Sequence, residues 1–210
     1  MTLKSIWFTA CCVCQLASER GDAICGDCEE LLKNLSGTQN QSEVVFSSQW
    51  QAFRYLGIYD DLLAKLINQG KFQANYSVLK QLAGLFCKQL VKVPLLTEGV
   101  VIPVPMKLSR RLIRGFNQAE VIARCLAREL DLQYSKTLVR HTGIGRVQHH
   151  LNRRQRKANM RKAFCCVQPA PKVAYIVDDV FTTGATVKAM CDCLRARGAE
   201  YIEVWVVAKA

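Results

Sequence analysis

VAYIVDDVFTTGATV, residues 173–187, decides the fold class. Its first five residues are apolar and rich in β-branched types, the make-up of a buried strand. Asp178 and Asp179 come next, at the carboxyl end of that strand, where open α/β sheets place their ligands. Phe181-Thr182-Thr183-Gly184-Ala185-Thr186 then turns into a helix expected over residues 186–197 and closed by Gly198. An apolar run at 201–207 (YIEVWVV) supplies a further strand. Strand, crossover helix and parallel strand in so short a span make a βαβ unit, and hence an α/β fold.

The same stretch carries chemistry. Small hydroxylic residues and a glycine let backbone N–H groups close around a phosphate, and a helix N-terminus adds its positive dipole end. Adjacent carboxylates accept hydrogen bonds from a cis-diol, or hold Mg2+ indirectly. Strand, acid pair and hydroxyl-rich turn in that order describe a cradle for ribose 5-phosphate, against the plainer reading of a turn after a core strand. Residues 173–187 closely resemble the signature of type I phosphoribosyltransferases. That resemblance implies that Asp178 and Asp179 grip the ribose hydroxyls, while Thr182, Thr183, Gly184, Ala185 and Thr186 form the 5′-phosphate loop.

Upstream, GVVIPV (99–104) reads as a short strand and residues 119–130 as a helix. Between them, Lys107, Arg110, Arg111 and Arg114 form a basic segment behind the stiffening prolines 103 and 105. Lys107 and Arg111 are the candidates for a leaving pyrophosphate. Asp60 is placed to cap a helix over 61–69 ended by Gly70, and residues 78–91 place Leu79, Leu82, Leu85, Phe86 and Leu90 on one helical side. Residues 36–42 (SGTQNQS) read as a linker, with a short helical pattern at 29–35 before it.

The first 35 residues are cysteine-rich. Cys11-x-x-Cys14 and Cys25-x-x-Cys28 are two matched knuckles, each setting two thiolates about one turn apart on one side. A loop too small to own a core gains its folding energy from a metal, and four thiolates leave no open position for catalysis. The expected group is therefore a structural Zn2+, against buried or redox-active thiols. Cys12 has the wrong spacing to join. Of the 11 cysteines, Cys87, Cys125, Cys165, Cys166, Cys191 and Cys193 lack matched spacing and read mostly as small core residues.

Net charge is +12, but its place matters more than its size. Residues 101–164 hold 15 Lys or Arg against Glu120, Glu129 and Asp131, while the rest of the chain is balanced. Charge confined in this way reads either as a solvated basic face or as a polyanion site that raises local anion concentration. The densest part is RVQHHLNRRQRKANMRK (146–162). It reads as a helix laid on nucleic acid, as a flap closing over substrate, or as an ordinary solvated face. With Arg110 and Arg114, Arg153, Arg154, Arg156 and Lys157 are the candidate DNA contacts. Half the residues are apolar, which excludes intrinsic disorder as a description of the chain. The N-terminus mimics a signal peptide only superficially, with Lys4 as its sole early base and Thr9 interrupting the apolar stretch, so a cytoplasmic protein with no membrane span is expected.

PVP (103–105), RGFNQA (114–119), the later Gln148, Arg156, Asn159 and Phe164, the four-cysteine start and YLGIYDDLLAKLINQGKF (55–72) are together similar to the ComF/GntX family. RGFNQ is the most specific piece of a match that spans essentially the whole chain. The resemblance implies a type I phosphoribosyltransferase-like parallel sheet flanked by helices (residues 39–210) behind a zinc-ribbon-like module (1–38). It further implies a role in natural competence, with single-stranded DNA and proteins of the competence machinery as partners. Two functions of different class are open. One is a binding module that takes phosphoribosyl pyrophosphate with Mg2+, or a nucleotide, and handles single-stranded DNA. The other is an active phosphoribosyltransferase of nucleotide or related metabolism with no DNA role, for which no residue stands out as a general base.

Overall fold

The computed structural model describes residues 9–18, 23–37, 49–73, 75–142 and 163–210. After a short antiparallel pair, β1 (Thr9–Ala10) and β2 (Ala17–Ser18), its centre is a five-stranded sheet made of β3 (Ala52–Ile58), β4 (Val100–Pro103), β5 (Gln133–Tyr134), β8 (Val173–Phe181) and β9 (Tyr201–Lys209). The strand order is β3-β9-β8-β4-β5, and every neighbouring pair is parallel. The α/β class and the parallel sheet expected from residues 173–207 are therefore observed.

Alternation along the strands divides the core in two. Val101, Val173, Tyr175, Val177, Trp205 and Val207 face α2 (Asp61–Phe72), α3 (Tyr76–Leu90) and α5 (Gln118–Glu129). Ile102, Ala174, Ile176, Ile202, Val204 and Val206 face α6 (Ala185–Arg195) and the antiparallel pair β6 (Val139–His141) and β7 (Phe164–Cys166). The crossover from β4 to β5 runs one way along the sheet and that from β8 to β9 the other. A constant crossover hand then puts α5 and α6 on opposite faces.

Several local readings change. Asp60 does cap α2, its Oδ1 accepting from Leu63 N–H at 2.8 Å, but the helix runs through Gly70 to Phe72. A Cβ at Gly70 would lie 2.4 Å from Leu79 Cδ2, so the glycine lets α2 approach α3 closely and does not terminate the helix. α3 buries its Leu79, Leu82, Leu85, Phe86 and Leu90 stripe as expected. The expected linker overlaps a helix: α1 (Gly26–Gly37) includes Ser36 and Gly37, and the expected boundary after residue 38 lies outside the described residues. β8 is nine residues long, not five, and carries the acid pair within its last turnless stretch.

The cysteine-rich segment shares the main core. Cys11, Ala23, Ile24, Cys28 and Leu32 are buried in the same cluster as α2 and α3. Gln69 donates from Nε2 to the Cys12 carbonyl at 3.1 Å, and Asn75 donates from Nδ2 to Cys12 Sγ at 3.4 Å. Cys12, which does not join the four-cysteine set, thus ties that segment to the α2–α3 turn.

Candidate functional site

β4 ends at Pro103, which lies opposite Val177, while β8 continues through Asp178 and Asp179 to Phe181 alongside β9. Between β4 and β8 the chain's winding reverses, so the acid pair stands in the crevice where doubly wound sheets bind ligands. The two strands remain tied there by the Val104 N–H, which donates to the Val177 carbonyl at 2.8 Å.

The carboxylates differ in environment. Asp178 Oδ1 accepts from the Asp179 N–H at 2.9 Å. Burial, with the neighbouring Asp179 charge adding to it, pushes the Asp178 carboxyl up to about 8, against the opposing pull of that N–H and of Lys71. Asp179 pairs with Lys71, Nζ to Oδ2 3.1 Å, both side chains being mostly buried. Lys71 lies in the last turn of α2 and was invisible as a site residue in the sequence. Nothing in its local pattern marks a lysine that reaches across to a distant strand.

The loop of residues 182–186 is shaped by one glycine. Gly184 adopts a left-handed conformation (φ 69°), and a Cβ there would sit 2.6 Å from the Phe181 ring. That ring is wedged edge-on against Phe53 with centroids 4.6 Å apart, and against Trp50 at 6.2 Å. Thr182, Thr183 and Ala185 are exposed and Thr186 half-buried. The Gly184 carbonyl accepts the opening helical bond of α6 from Lys188 at 2.8 Å. Having no side chain, Gly184 cannot cap α6, and Thr183 Oγ1 accepts from the Ala185 N–H at 3.5 Å; a helix N-terminus of this kind is where anions bind. Loop, helix start and acid pair are brought together as the sequence order implied.

The basic candidates have different surroundings. Lys107 precedes α4 (Leu108–Arg114), which holds Arg110, Arg111 and Arg114. Arg111 makes a forked pair with Glu120, 3.0 and 3.4 Å. Arg114 lies over the Phe72 ring, 5.2 Å from its centroid. Arg110 is exposed. Burial, then Lys107 and Arg110, lower the pKa of His141 at the end of β6, so these cations stand within electrostatic reach of it. Arg153, Arg154, Arg156 and Lys157 lie outside the described residues. Of the described residues on either side, the Thr142 N–H donates to the Ala163 carbonyl at 2.9 Å.

RGFNQ explains itself physically. Gly115 is left-handed (φ 77°) and closes α4, its N–H donating to the Arg111 carbonyl at 2.7 Å. Phe116 is buried beneath Tyr76, and Asn117 caps α5 through Ala119 N–H at 3.1 Å. Asn117 Nδ2 also donates to the Val104 carbonyl at 2.9 Å, fixing the basic turn against the exit of β4.

In the four-cysteine segment, Cys11, Cys14, Cys25 and Cys28 place their Sγ atoms within 4.8 Å of one another. The Val13 and Cys25 N–H groups donate to Cys11 Sγ at 3.4 and 3.3 Å. Burial opposes ionisation of Cys11, but N–H donors of Cys25, Cys14 and Val13 outweigh it and bring the thiol down to about 6. Four convergent sulfurs with N–H donors on one of them make a possible metal site closed to other ligands. Among the other cysteines, Cys87, Cys166 and Cys191 are buried, Cys125 and Cys193 are half-buried, and Cys165 is exposed.

Among the described residues, no helix is long and apolar enough to cross a membrane. No family model matches the chain. The chain is 30% identical over 209 residues to the DNA utilization protein YhgH of Escherichia coli K12, covering 95% of this chain and 89% of that protein. Competence protein F of Haemophilus influenzae is 31% identical over 173 residues, 77% of this chain and 74% of that one. Competence protein ComFC of Bacillus subtilis is 25% identical over 185 residues, 84% and 68% respectively.

Proposed function

The chain belongs to the ComF family of competence and DNA utilization proteins, and from that premise we propose that it binds phosphoribosyl pyrophosphate or a nucleotide while handling single-stranded DNA during DNA uptake. The observation that carries the ligand half is the arrangement at the end of β8. There an acid pair, a glycine-shaped hydroxyl loop and a helix start occupy the reversal point of the sheet. Asp178 and Asp179 accept the ribose diol, and the backbone of residues 182–186 together with the α6 N-terminus holds the 5′-phosphate. Lys71, now on Asp179, is displaced or shared when the diol arrives. Lys107 and Arg111, the latter held by Glu120, are the cations for the pyrophosphate. Mg2+ bound together with the pyrophosphate would offset its charge beside these residues.

The four thiols suit Zn2+ in softness, number and closure. Bound there, Zn2+ supplies folding energy to a segment whose contacts then reach the α2–α3 turn. The DNA half rests on the relatives' names and on the confinement of the excess positive charge to residues 101–164.

The test is calorimetric titration of phosphoribosyl pyrophosphate with Mg2+ into the wild-type protein and an Asp178→Ala, Asp179→Ala double variant. Binding to the wild type and its loss in the variant are expected. Absence of binding to the wild type would reduce the cradle to a scaffold feature. Release of pyrophosphate with an added nucleobase or amine would move the protein to the transferase reading.

A further inference from the structure

Phe72 closes α2 with 71% of its surface exposed, an uncommon fate for a phenylalanine beside a functional crevice. It follows directly on Lys71, the partner of Asp179. The Arg114 guanidinium lies over its ring at 5.2 Å. Across the α2–α3 turn, Tyr76 is 44% exposed and rests on Phe116 with centroids 4.5 Å apart. α4 adds Leu108, Leu112 and Ile113, all largely exposed, and three arginines with no acid of its own. No side chain of α4 is buried. The molecule thus keeps an apolar and cationic surface in water, and the residues that keep it there are fixed by the Gly115 turn and the Asn117 cap.

We propose that Phe72, Arg114 and Tyr76 form a stacking platform for an unpaired base of single-stranded nucleic acid, with Arg110 on the adjoining phosphates. The proposal rests on the DNA reading of the preceding subsection and gives it a place in the fold. Charge complementarity selects this occupant. A polyanion with flat apolar bases matches a face of aromatic rings and three arginines, of which Glu120 engages Arg111, whereas an apolar partner would strand the cations. A guanidinium already seated on a ring is a ready-made surface on which a base stacks, and its positive edge reaches phosphate. Phe72 and Tyr76 lie before the basic segment in the chain, so no local pattern ties them to it.

The test compares, for the full-length protein, binding of an oligothymidylate of about 12 nucleotides with that of an abasic sugar–phosphate strand of equal length. Phe72→Ala is expected to weaken the oligothymidylate about fivefold or more and to leave the abasic strand within twofold. Phe72→Trp, which keeps a stacking face, is expected to restore binding. Equal affinity of wild type and Phe72→Ala for oligothymidylate would overturn the platform while leaving the DNA reading intact, and would hand the patch to a protein partner. A wild-type protein that binds neither strand would sink the DNA reading and the platform with it.

Discussion

At the scale of the residue, Asp178 is the most informative group. Its carboxyl stands at about 8 against an ordinary 3.8, so the folded state holds a proton that the unfolded state releases. By linkage, the stabilising effect is fully present below about 4 and is lost as pH rises through about 8. Melting temperatures of the wild type are therefore expected to fall across that window relative to Asp178→Asn, and parallel profiles would contradict the assignment. Ligand binding has a matching signature. A diol donating to Asp178 favours its ionised form, so uptake of phosphoribosyl pyrophosphate at about neutral pH releases up to one proton. The binding enthalpy will then depend on the ionisation enthalpy of the buffer, and will not do so in Asp178→Asn. Gly184 gives a separate expectation. Gly184→Ala costs about 1–2 kcal/mol for the left-handed conformation alone, and the approach to Phe181 adds to it. Chemical denaturation should show the loss together with weakened phosphate binding.

At the scale of the element, the four-cysteine segment and the α2–α3 turn form one unit through Cys12, Gln69 and Asn75. Removing bound metal with a chelator is expected to raise amide hydrogen exchange in residues 9–37 and also in residues 69–76. Exchange confined to the cysteine segment would show that the two are independent. Elements differ in how well the sequence announces them. β8 and its loop were legible because strand, acids and hydroxyls are contiguous, so one local pattern marks the strand, its end and the turn into α6. α3 and α5 were legible from helical spacing. Gly70 misled because a glycine near a helix end has two uses, and only the packed neighbour Leu79 tells them apart. β5, β6 and β7, of two or three residues each, are too short for any periodicity. Lys71, the Arg111–Glu120 pair and the Phe72–Arg114 contact depend on tertiary geometry that no local pattern encodes.

At the scale of the whole molecule, one strand-end crevice brings together the acid pair of β8, the lysine of α2 and the basic turn that leaves β4. Positive charge gathers on one stretch of a chain that is otherwise balanced, which predicts steep salt dependence for binding to single strands. Replacing Arg153, Arg154, Arg156 and Lys157 by alanine is expected to flatten the plot of log affinity against log salt by about 3, if each meets one phosphate. An unchanged slope would assign those residues to a solvated face. The central claim is that the crevice holds a phosphoribosyl group, and the most direct measurement is a crystal structure of the protein with phosphoribosyl pyrophosphate and Mg2+. The account predicts the 5′-phosphate against the backbone of residues 182–186 and the ribose hydroxyls on Asp178 and Asp179. Density for the ligand at any other place, or an undisturbed Lys71–Asp179 pair beside a vacant loop at saturating ligand, would contradict it.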